Sequence, residues 1–418
     1  MSKIKIKNFG PIKEGMLDND GWIDIKKVTV FIGNQGSGKS TVAKLISTFT
    51  WIEKALTRGD YEPKEFTSYS RFRKNYCSYH RIENYFFDIE KNDTAEIEFV
   101  GNSYRMKYNK GLLEISEVKQ ANYQLPQIMY VPAERNFISY VKSPKELKIS
   151  SDSLKEFLNE FDKAKEAIKA SVKLPINNAD LEYDKLNDIV NIKGKDKDAK
   201  DYKVRLTESS SGFQSLVPLY LVSDYLANAV KKTSEANHGG MSSEELERFK
   251  VLAAEIYSNE ALTSEQRRAA LSAISSRFNK TAFINIVEEP EQNLFPKSQQ
   301  KMLNSLLEFN NMSKGNKLIM TTHSPYLINY LTLAVEANKL KSKVNTDELK
   351  SKLNEIVPLN STLNGKDLVV YQLDEKIGTI EKLKDYKGLP SDENYLNEGL
   401  AESNDEFSKL LDLEDLCQ

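Results

Sequence analysis

The sequence has little cysteine and histidine, with 2 Cys and 3 His among 418 residues. Cys77 and Cys417 stand near opposite ends of the chain, so we expect no disulfide framework, and no zinc-ligand spacing occurs. A run of about 18 apolar residues, which a transmembrane helix needs, is also missing. The opening residues, MSKIKIKNFGPI, alternate lysine with isoleucine and have no signal-peptide core. We therefore expect a cytoplasmic protein with no membrane partner.

An excess of charge of one sign is missing too, because the formal net charge is −2. Such a chain has no strong non-specific attraction to nucleic acid. The basic and aromatic segment YSRFRKNYCSYHR, residues 69–81, can form a local basic patch or a solvated face beside tyrosines. With 39% hydrophobic and 29% charged residues, the chain has the composition of a soluble globular protein. Its length allows two or three domains or one large α/β domain with insertions.

A glycine-rich motif lies in VTVFIGNQGSGKSTVAKLISTF, which starts at Val28. A β-branched and aromatic run predicts a buried strand, and an apolar helical pattern follows the motif. The residues between them match G-x-x-x-x-G-K-[ST] in the strand–loop–helix context of a phosphate-binding loop. Backbone N–H groups of such a loop wrap around phosphates at the start of a helix. The predicted nucleotide-binding residues are Gly33, Asn34, Gln35, Gly36, Ser37, Gly38, Lys39, Ser40 and Thr41.

The last part of this motif has its own chemistry. Lys39 can reach the β- and γ-phosphates of a nucleoside triphosphate, and the Ser40 hydroxyl can ligate Mg²⁺. The sequence therefore predicts that the chain binds ATP with Mg²⁺ and hydrolyses it.

Two carboxylates end a second apolar run in FINIVEEPEQNLFP, residues 283–296. A P-loop enzyme needs an acid near Mg²⁺ and a group that polarises water. We predict Glu288 for the first role and Glu289 for the second. Neighbouring side chains alternate along a strand, but both can line the phosphate site where the chain leaves the sheet.

A third apolar strand, in NKLIMTTHSPYLI, ends at His323. A neutral imidazole at this place can contact the γ-phosphate and report its loss, so His323 joins Glu289 and Lys39 as a predicted catalytic residue. A serine-rich turn precedes an apolar helix in LTESSSGFQSLVPLYL. Serine, glycine and a helix N-terminus together form a candidate anion site.

In this order the motifs resemble those of ABC-type ATPase heads, a class that includes SMC, RecF and the overcoming-lysogenisation (AAA15-like) ATPases. The resemblance implies an α/β head with a mixed sheet around the P-loop, an antiparallel β subdomain and a helical signature lobe. It also implies that two heads close around two ATP molecules, with each signature facing the other subunit's P-loop. The implied signature residues are Ser211, Gly212 and Gln214, with Phe213 in place of the usual second glycine.

The same resemblance assigns further residues. Glu289 corresponds to the catalytic glutamate and His323 to the switch histidine, while Glu288 stands where most of the class has aspartate. Asn293 and Leu294 fall in the segment that crosses the dimer interface. QIMYVPAERNF is the candidate Gln-loop segment, and its predicted nucleotide-site residues are Gln127, Glu134 and Arg135.

The predicted domain division follows from these motifs. Residues 1–330 form the head, with a β-hairpin region at about 80–120, a helical signature lobe at about 136–230 and a helical insertion at about 231–280. Residues 331–418 form a small C-terminal α/β extension without a nuclease domain, because no later D-x-D motif accompanies DLVVYQLDEKIG. The interval between the P-loop and the signature has no sustained heptads, which disfavours SMC-type arms.

An ATPase head without arms or nuclease suggests an effector on another polypeptide. The motifs GNQGSGKST, YVPAERNF, SSGFQSLVPL, EEPEQNLFP and TTHSP resemble the ATPase subunit of the PARIS anti-phage system, with the Septu ATPase next. The resemblance implies a sensor or scaffold that forms ATP-sandwich dimers or higher oligomers, holds a toxin nuclease and answers a phage trigger protein. The alternative is a RecF- or SMC-like DNA-repair ATPase that binds DNA directly.

Overall fold

The computed structural model describes residues 2–86, 94–118, 123–140, 148–195, 200–235, 243–259, 262–263, 266–267, 270–271, 274 and 280–416. The strands are β1 Lys3–Lys7, β2 Gly15–Met16, β3 Ile23–Asp24, β4 Val28–Gly33, β5 Glu96–Val100, β6 Tyr104–Asn109, β7 Leu112–Glu117, β8 Pro126–Val131, β9 Val172–Lys173, β10 Asp180–Asp184, β11 Ile189–Lys195, β12 Asp201–Arg205, β13 Ala282–Glu288, β14 Lys317–Thr322, β15 Leu368–Leu373, β16 Thr379–Lys382, β17 Asp385–Tyr386 and β18 Leu389–Pro390.

The α-helices are α1 Lys39–Arg58, α2 Pro63–Thr67, α3 Asp152–Glu166, α4 Ser211–Glu235, α5 Ser243–Ser258, α6 Pro296–Asn311, α7 Pro325–Lys341, α8 Asp347–Ile356 and α9 Tyr395–Leu416. A 3₁₀ segment, Ala133–Tyr140, follows β8. Within the described ranges, none of these helices has the length and apolar character to cross a bilayer.

A seven-stranded mixed sheet forms the centre, in the order β2-β16-β15-β4-β14-β13-β8. The strands from β15 to β8 are parallel, and β16 is antiparallel to β15. All six residues of β4 are buried, as its β-branched composition predicts for a strand covered on both faces. Val28, Val30 and Ile32 face a core built with α3, α4, α6 and α7, whereas Phe31 faces a second core with α1. The predicted α/β P-loop ATPase fold is confirmed.

The antiparallel subdomain is a five-stranded sheet in the order β3-β1-β5-β6-β7. In β1, KIKIK, both isoleucines are buried and the lysines between them are partly exposed. This alternation is typical of a sheet that is covered on one face. The buried face of the sheet packs into the same core as α1, next to the P-loop.

A second antiparallel sheet, in the order β12-β11-β10-β9, lies between α3 and α4. The sequence predicts a helical lobe here, with an exposed hairpin or loop at residues 191–203, and the structure corrects the helical prediction for residues 172–195 and 201–205. Cross-strand pairs of β-branched and aromatic residues, such as Ile192 with Val204, hold the sheet. Within the predicted helical insertion, at about 231–280, the structure shows helix α5. Most of residues 260–279 lie outside the described residues.

The C-terminal quarter joins the central sheet. Strand β15 pairs in parallel with β4 from Leu368 opposite Val28 to Leu373 opposite Gly33. The predicted small C-terminal α/β extension, residues 331–418, therefore supplies the strand that flanks the P-loop strand on one side. On the other side β4 pairs with β14, whose last residues precede His323.

Candidate nucleotide site

The predicted P-loop connects β4 with α1 at the carboxyl edge of the central sheet. Three of its glycines have left-handed or related backbone angles: φ is 145° at Gly33, 78° at Gly36 and 100° at Gly38. A Cβ atom on Gly33 would lie 2.4 Å from the carbonyl oxygen of Leu373, so a side chain does not fit there. The glycine spacing thus follows from a tight turn pressed against β15.

Helix α1 begins at Lys39, and its N-cap Gly38 provides no side-chain hydrogen bond. The first N–H groups of a helix lack partners within the helix, and here no capping side chain takes their place. Together with the positive end of the helix dipole, these groups fit a phosphate. Asn34, Gln35 and Gly36 are exposed, whereas Thr41 is buried and Ser40 is partly exposed.

The Lys39 side chain folds back over the loop. Its Nζ donates to the carbonyl oxygens of Gly33 at 2.9 Å and Asn34 at 2.7 Å, and lies 3.4 Å from Ser37 Oγ. Burial lowers the pKa of Lys39 from its ordinary 10.5 to about 8, although Glu289 and other carboxylates counteract the shift. The loop therefore holds a cation that is available to the phosphates.

Glu288, the last residue of β13, is buried and already hydrogen-bonded. Its Oε1 accepts from the Tyr130 hydroxyl at 2.5 Å, and its Oε2 accepts from the backbone N–H of Ala133 at 3.1 Å. No group of three or more His, Cys, Asp or Glu that could hold a metal ion occurs in the described part of the chain. Mg²⁺ bound to a nucleotide usually takes only one or two protein ligands besides phosphate and water. Ser40 and Glu288 are the predicted ligands; each Glu288 oxygen accepts one hydrogen bond, so a lone pair would remain for Mg²⁺, which would neutralise charge on the phosphates.

Glu289 leaves the sheet with an unusual backbone. Its φ is 45°, a left-handed value that is uncommon for a residue other than glycine. Its N–H donates to the carbonyl oxygen of Thr321 at 2.9 Å. This turn brings the Glu289 carboxylate to the P-loop side, where it counteracts the lowering of the Lys39 pKa.

The Glu289 carboxylate and the His323 imidazole lie close together. His323 Nε2 is 3.7 Å from Glu289 Oε1, and both side chains are about one-third exposed, at 32% and 37%. Burial raises the pKa of Glu289, and the neighbouring Glu288 raises it further. Burial also lowers the pKa of His323 from 6.5, with the Lys39 charge acting in the same direction. The imidazole is therefore neutral near neutral pH. In this form it can contact a phosphate without adding a fixed charge.

Glu291, a residue that the motif patterns do not single out, fixes the position of His323. Its Oε1 accepts from the backbone N–H of His323 at 2.7 Å and from Thr322 Oγ1 at 2.8 Å, while burial raises its pKa. The third acid of EEPEQ therefore ties the acid-bearing segment to the end of β14. Its place in that motif is the only sequence signal for this role.

The predicted signature turn starts α4, where Ser211 is exposed. It contacts the segment after the glutamates: a Cβ on Gly212 would lie 3.1 Å from the Asn293 carbonyl oxygen, and Asn293 Nδ2 donates to Ser215 Oγ at 2.9 Å. The structure corrects the prediction that Gln214 faces the nucleotide of a second subunit. Gln214 is buried, and its Nε2 donates to the carbonyl oxygens of Thr207 and Ser209, so it shapes its own turn and does not face a nucleotide.

The three candidates of QIMYVPAERNF have different positions. Gln127 pairs with Phe283 near the amino end of β8, about five residues or 16 Å along the strands from Glu288, so it is not at the site. Glu134 is exposed and contributes to raising the pKa of Glu289. Arg135 is fully buried and binds backbone carbonyl groups, not the open phosphate site.

A contact from the C-terminal quarter reaches the P-loop, and the sequence does not predict it. Asn34 Nδ2 donates to Glu375 Oε1 at 3.0 Å, and Asn34 Oδ1 accepts from the Gln35 N–H at 2.8 Å. This hydrogen bond lowers the pKa of Glu375. Nothing in the local sequence around Glu375 indicates this contact, because it depends on the pairing of β15 with β4.

Sequence comparison finds that the AAA ATPase domain family matches residues 262–328. This stretch contains Glu288, Glu289 and His323. Comparison with curated proteins gave no match. The P-loop and the family match together assign ATP hydrolysis to this chain, as the sequence predicted.

Several solved structures are similar to this chain. The SMC head domain from Thermotoga maritima shares 11% identity, with 92% of this chain and 98% of that chain covered and a TM-score of 0.38. The Smc head domain with an extended coiled coil bound to the C-terminal domain of ScpA, derived from Pyrococcus furiosus, shares 12% identity over 92% and 96%, with a TM-score of 0.34. A dimeric ATP-binding cassette in a post-hydrolysis state bound to ADP and Pi shares 12% identity over 92% and 100%, with a TM-score of 0.24. At these scores the likenesses carry no conclusion about function or assembly.

Proposed function

We propose that this ATPase is the sensor or scaffold of a bacterial anti-phage system, which forms ATP-sandwich dimers or higher oligomers and holds or activates a separate effector nuclease. The observation that carries the ATPase part is the convergence of the Lys39 ammonium, the Glu289 carboxylate and the His323 imidazole at one edge of the sheet. The defence role is supported by the resemblance of the motifs to the PARIS and Septu ATPases.

In the proposed reaction, the P-loop and the start of α1 hold the phosphates of ATP, with Lys39 on the β- and γ-phosphates. Glu289 accepts a proton from a water molecule as the water oxygen forms its bond to the γ-phosphorus. The bond between the γ-phosphorus and the bridging oxygen breaks, and ADP leaves with that electron pair. The proton then departs from Glu289 with the phosphate. The raised pKa of Glu289 makes it a stronger base than an ordinary glutamate.

His323 is proposed as the group that senses the γ-phosphate. Its Nε2 lies 3.7 Å from the Glu289 carboxylate, and the Gly33 backbone of the P-loop raises its pKa against the effect of burial. Loss of the γ-phosphate removes a partner of the imidazole, and Glu291 transmits the change between β14 and the acid-bearing segment. Mg²⁺ is proposed at Ser40 and Glu288.

The dimer proposal is supported by the start of α4. Ser211 is exposed at a helix N-terminus, where a phosphate from a second subunit would be stabilised by the helix dipole. Gly212 packs against Asn293, which is exposed with φ at 58°. The turn and the segment predicted to cross the interface therefore form one continuous surface.

Phage plaque formation on cells that carry this gene with its native neighbours tests the proposal. We expect protection by the wild type and by the control Lys350→Ala, whose side chain is on the exposed face of α8. Lys39→Ala and Glu289→Gln should abolish protection, and so should deletion of the neighbour that encodes the effector. Absence of protection by the wild type across a broad phage panel, together with DNA-stimulated ATP turnover, would instead favour the DNA-repair alternative.

A further inference from the structure

Arg135 is a large side chain that is completely buried, at 0% exposure. A buried guanidinium is costly unless its N–H groups have acceptors. Here every acceptor within hydrogen-bond distance in the described structure is a backbone carbonyl oxygen. Burial lowers its pKa to about 10, so it remains charged at neutral pH. The fold therefore holds a cation at a point where an apolar side chain could also pack.

The carbonyl groups that Arg135 binds belong to different elements. Nη1 donates to Glu288 at 2.8 Å, and Nη2 donates to Glu289 at 2.6 Å. Nε donates to Ser215 in the first turns of α4 at 3.1 Å. Nη1 also lies 3.4 Å from the Pro132 carbonyl oxygen at the end of β8. The planar guanidinium thus fixes the acid-bearing segment relative to the predicted signature helix.

The hydrogen bond to Glu289 has a particular consequence. A left-handed backbone is unfavourable at a residue with a side chain and persists only when neighbouring contacts hold it. Thr321 accepts the N–H of Glu289, and Arg135 donates to its carbonyl oxygen. Without Arg135, one of these two anchors is lost, and the Glu289 carboxylate is free to turn away from the phosphate site.

Ser215 forms a second connection between the same two elements. Its buried hydroxyl accepts from Asn293 Nδ2 at 2.9 Å, while its carbonyl oxygen accepts from Arg135. A displacement of α4 when its exposed N-terminus binds phosphate would therefore reach the acid-bearing segment through both groups. Two sites are energetically coupled when contacts of this kind make the elements that carry the sites move together.

We propose that Arg135 is a positioning residue that couples the signature helix to the backbone of Glu289, so that the catalytic carboxylate is placed correctly when the start of α4 is engaged. The proposal rests on the proposed role of Glu289. Arg135 does not contact the substrate, and it acts through Glu289.

Steady-state ATP turnover, ATP affinity and thermal unfolding of Arg135→Lys test this proposal in the full chain. Lysine keeps the charge but cannot donate to carbonyl groups of three elements from one plane. We expect kcat to fall about 10- to 100-fold, as for a displaced catalytic group, while KM and the Kd for a non-hydrolysable ATP analogue change less than about threefold. Arg73→Lys is the matched control, because Arg73 also donates from Nε to a backbone carbonyl, that of Glu83, at 2.7 Å.

A double-mutant cycle separates positioning from a general structural effect. If Arg135 acts through Glu289, adding Arg135→Lys to Glu289→Gln leaves single-turnover hydrolysis nearly unchanged. Multiplication of the two losses, or a fall in ATP affinity as large as the fall in kcat, would overturn the proposal. If Arg135→Lys does not fold, Arg135→Gln replaces it: its short amide cannot reach the carbonyl groups of all these elements at once, and an unchanged kcat refutes the coupling. Absence of ATP hydrolysis by the wild type would instead contradict the proposed function itself.

Discussion

The buried ammonium of Lys39 makes ATP binding sensitive to alkaline pH. Its pKa of about 8 in the nucleotide-free protein lies well below the ordinary value of 10.5. An ammonium with this pKa is about 90% protonated at pH 7 and about 10% protonated at pH 9. If binding of the phosphates requires the charged form, the apparent Kd for ATP rises about tenfold between these two values. An unperturbed lysine would leave the Kd nearly constant.

The sign of the effect follows from where the proton is bound. Burial disfavours the charged form in the free protein, and the phosphates favour it in the complex, so ATP binding takes up a proton. At pH 8, where about half of the free protein lacks the proton, calorimetry in buffers of different ionisation enthalpy should detect uptake of about 0.5 proton. The pKa of His323 is lowered from 6.5, so its imidazole stays neutral between pH 7 and pH 9 and adds nothing to the pH dependence of the Kd.

Titration of a non-hydrolysable ATP analogue from pH 7 to pH 9 provides the decisive curve. Lys39→Arg is the control, because a guanidinium stays charged over this range and its Kd, although weaker overall, should not change with pH. A wild-type Kd that is constant within about twofold would refute the reasoning, since it would mean that the ammonium is not the group that burial perturbs.

Glu289→Gln should reduce ATP turnover, measured by phosphate release, by about 10²–10⁴-fold while ATP affinity is retained. The control is Glu348→Gln, an exposed glutamate on α8, and turnover of Glu289→Gln within a few fold of the wild type would remove Glu289 from the base role. Gly33→Ala should weaken ATP binding by about tenfold or more, because the new Cβ would lie 2.4 Å from the Leu373 carbonyl oxygen at a φ of 145°. Gly399→Ala, where a Cβ meets open space, is the control, and an ATP affinity of Gly33→Ala equal to that of the wild type would contradict the steric argument. Phe157 is fully buried on α3, so Phe157→Ala should lower the free energy of unfolding, measured by urea denaturation, by about 3–5 kcal/mol. Leu186 is 96% exposed, so Leu186→Ala should change it little. A loss below about 1 kcal/mol for Phe157→Ala would show that the cavity collapses.

The sequence allowed the strand–loop–helix unit around Lys39 to be predicted because its determinants are local. The apolar run of β4, the glycine spacing and the helical periodicity of α1 lie within one short segment. The proximity of Glu289 and His323 followed from a general property of parallel strands, whose carboxyl ends meet at one edge of a sheet. Their catalytic roles remain predictions.

Three predictions failed, each for a different physical reason. Gln127 was misplaced because strand register depends on partner strands that the sequence does not identify, and one end of β8 reads much like the other. Gln214 was misinterpreted because its amide turns back to the carbonyl groups of Thr207 and Ser209 in the loop before α4, a choice made by local hydrogen bonding. The four-stranded sheet after α3 was predicted only as an exposed hairpin or loop at residues 191–203, since its short strands are rich in charged residues.

The pairing of β15 with β4 sets an order for biosynthesis. During translation, the strand ahead of the P-loop emerges from the ribosome long before residues 368–373, which complete its sheet environment and press against Gly33. At about 5–20 residues per second, the interval is roughly 20–70 s. Throughout it, the nascent P-loop lacks both the Leu373 backbone and the Glu375 contact to Asn34. The surroundings of the P-loop seen in the folded chain are thus complete only after residues 368–375 have been made.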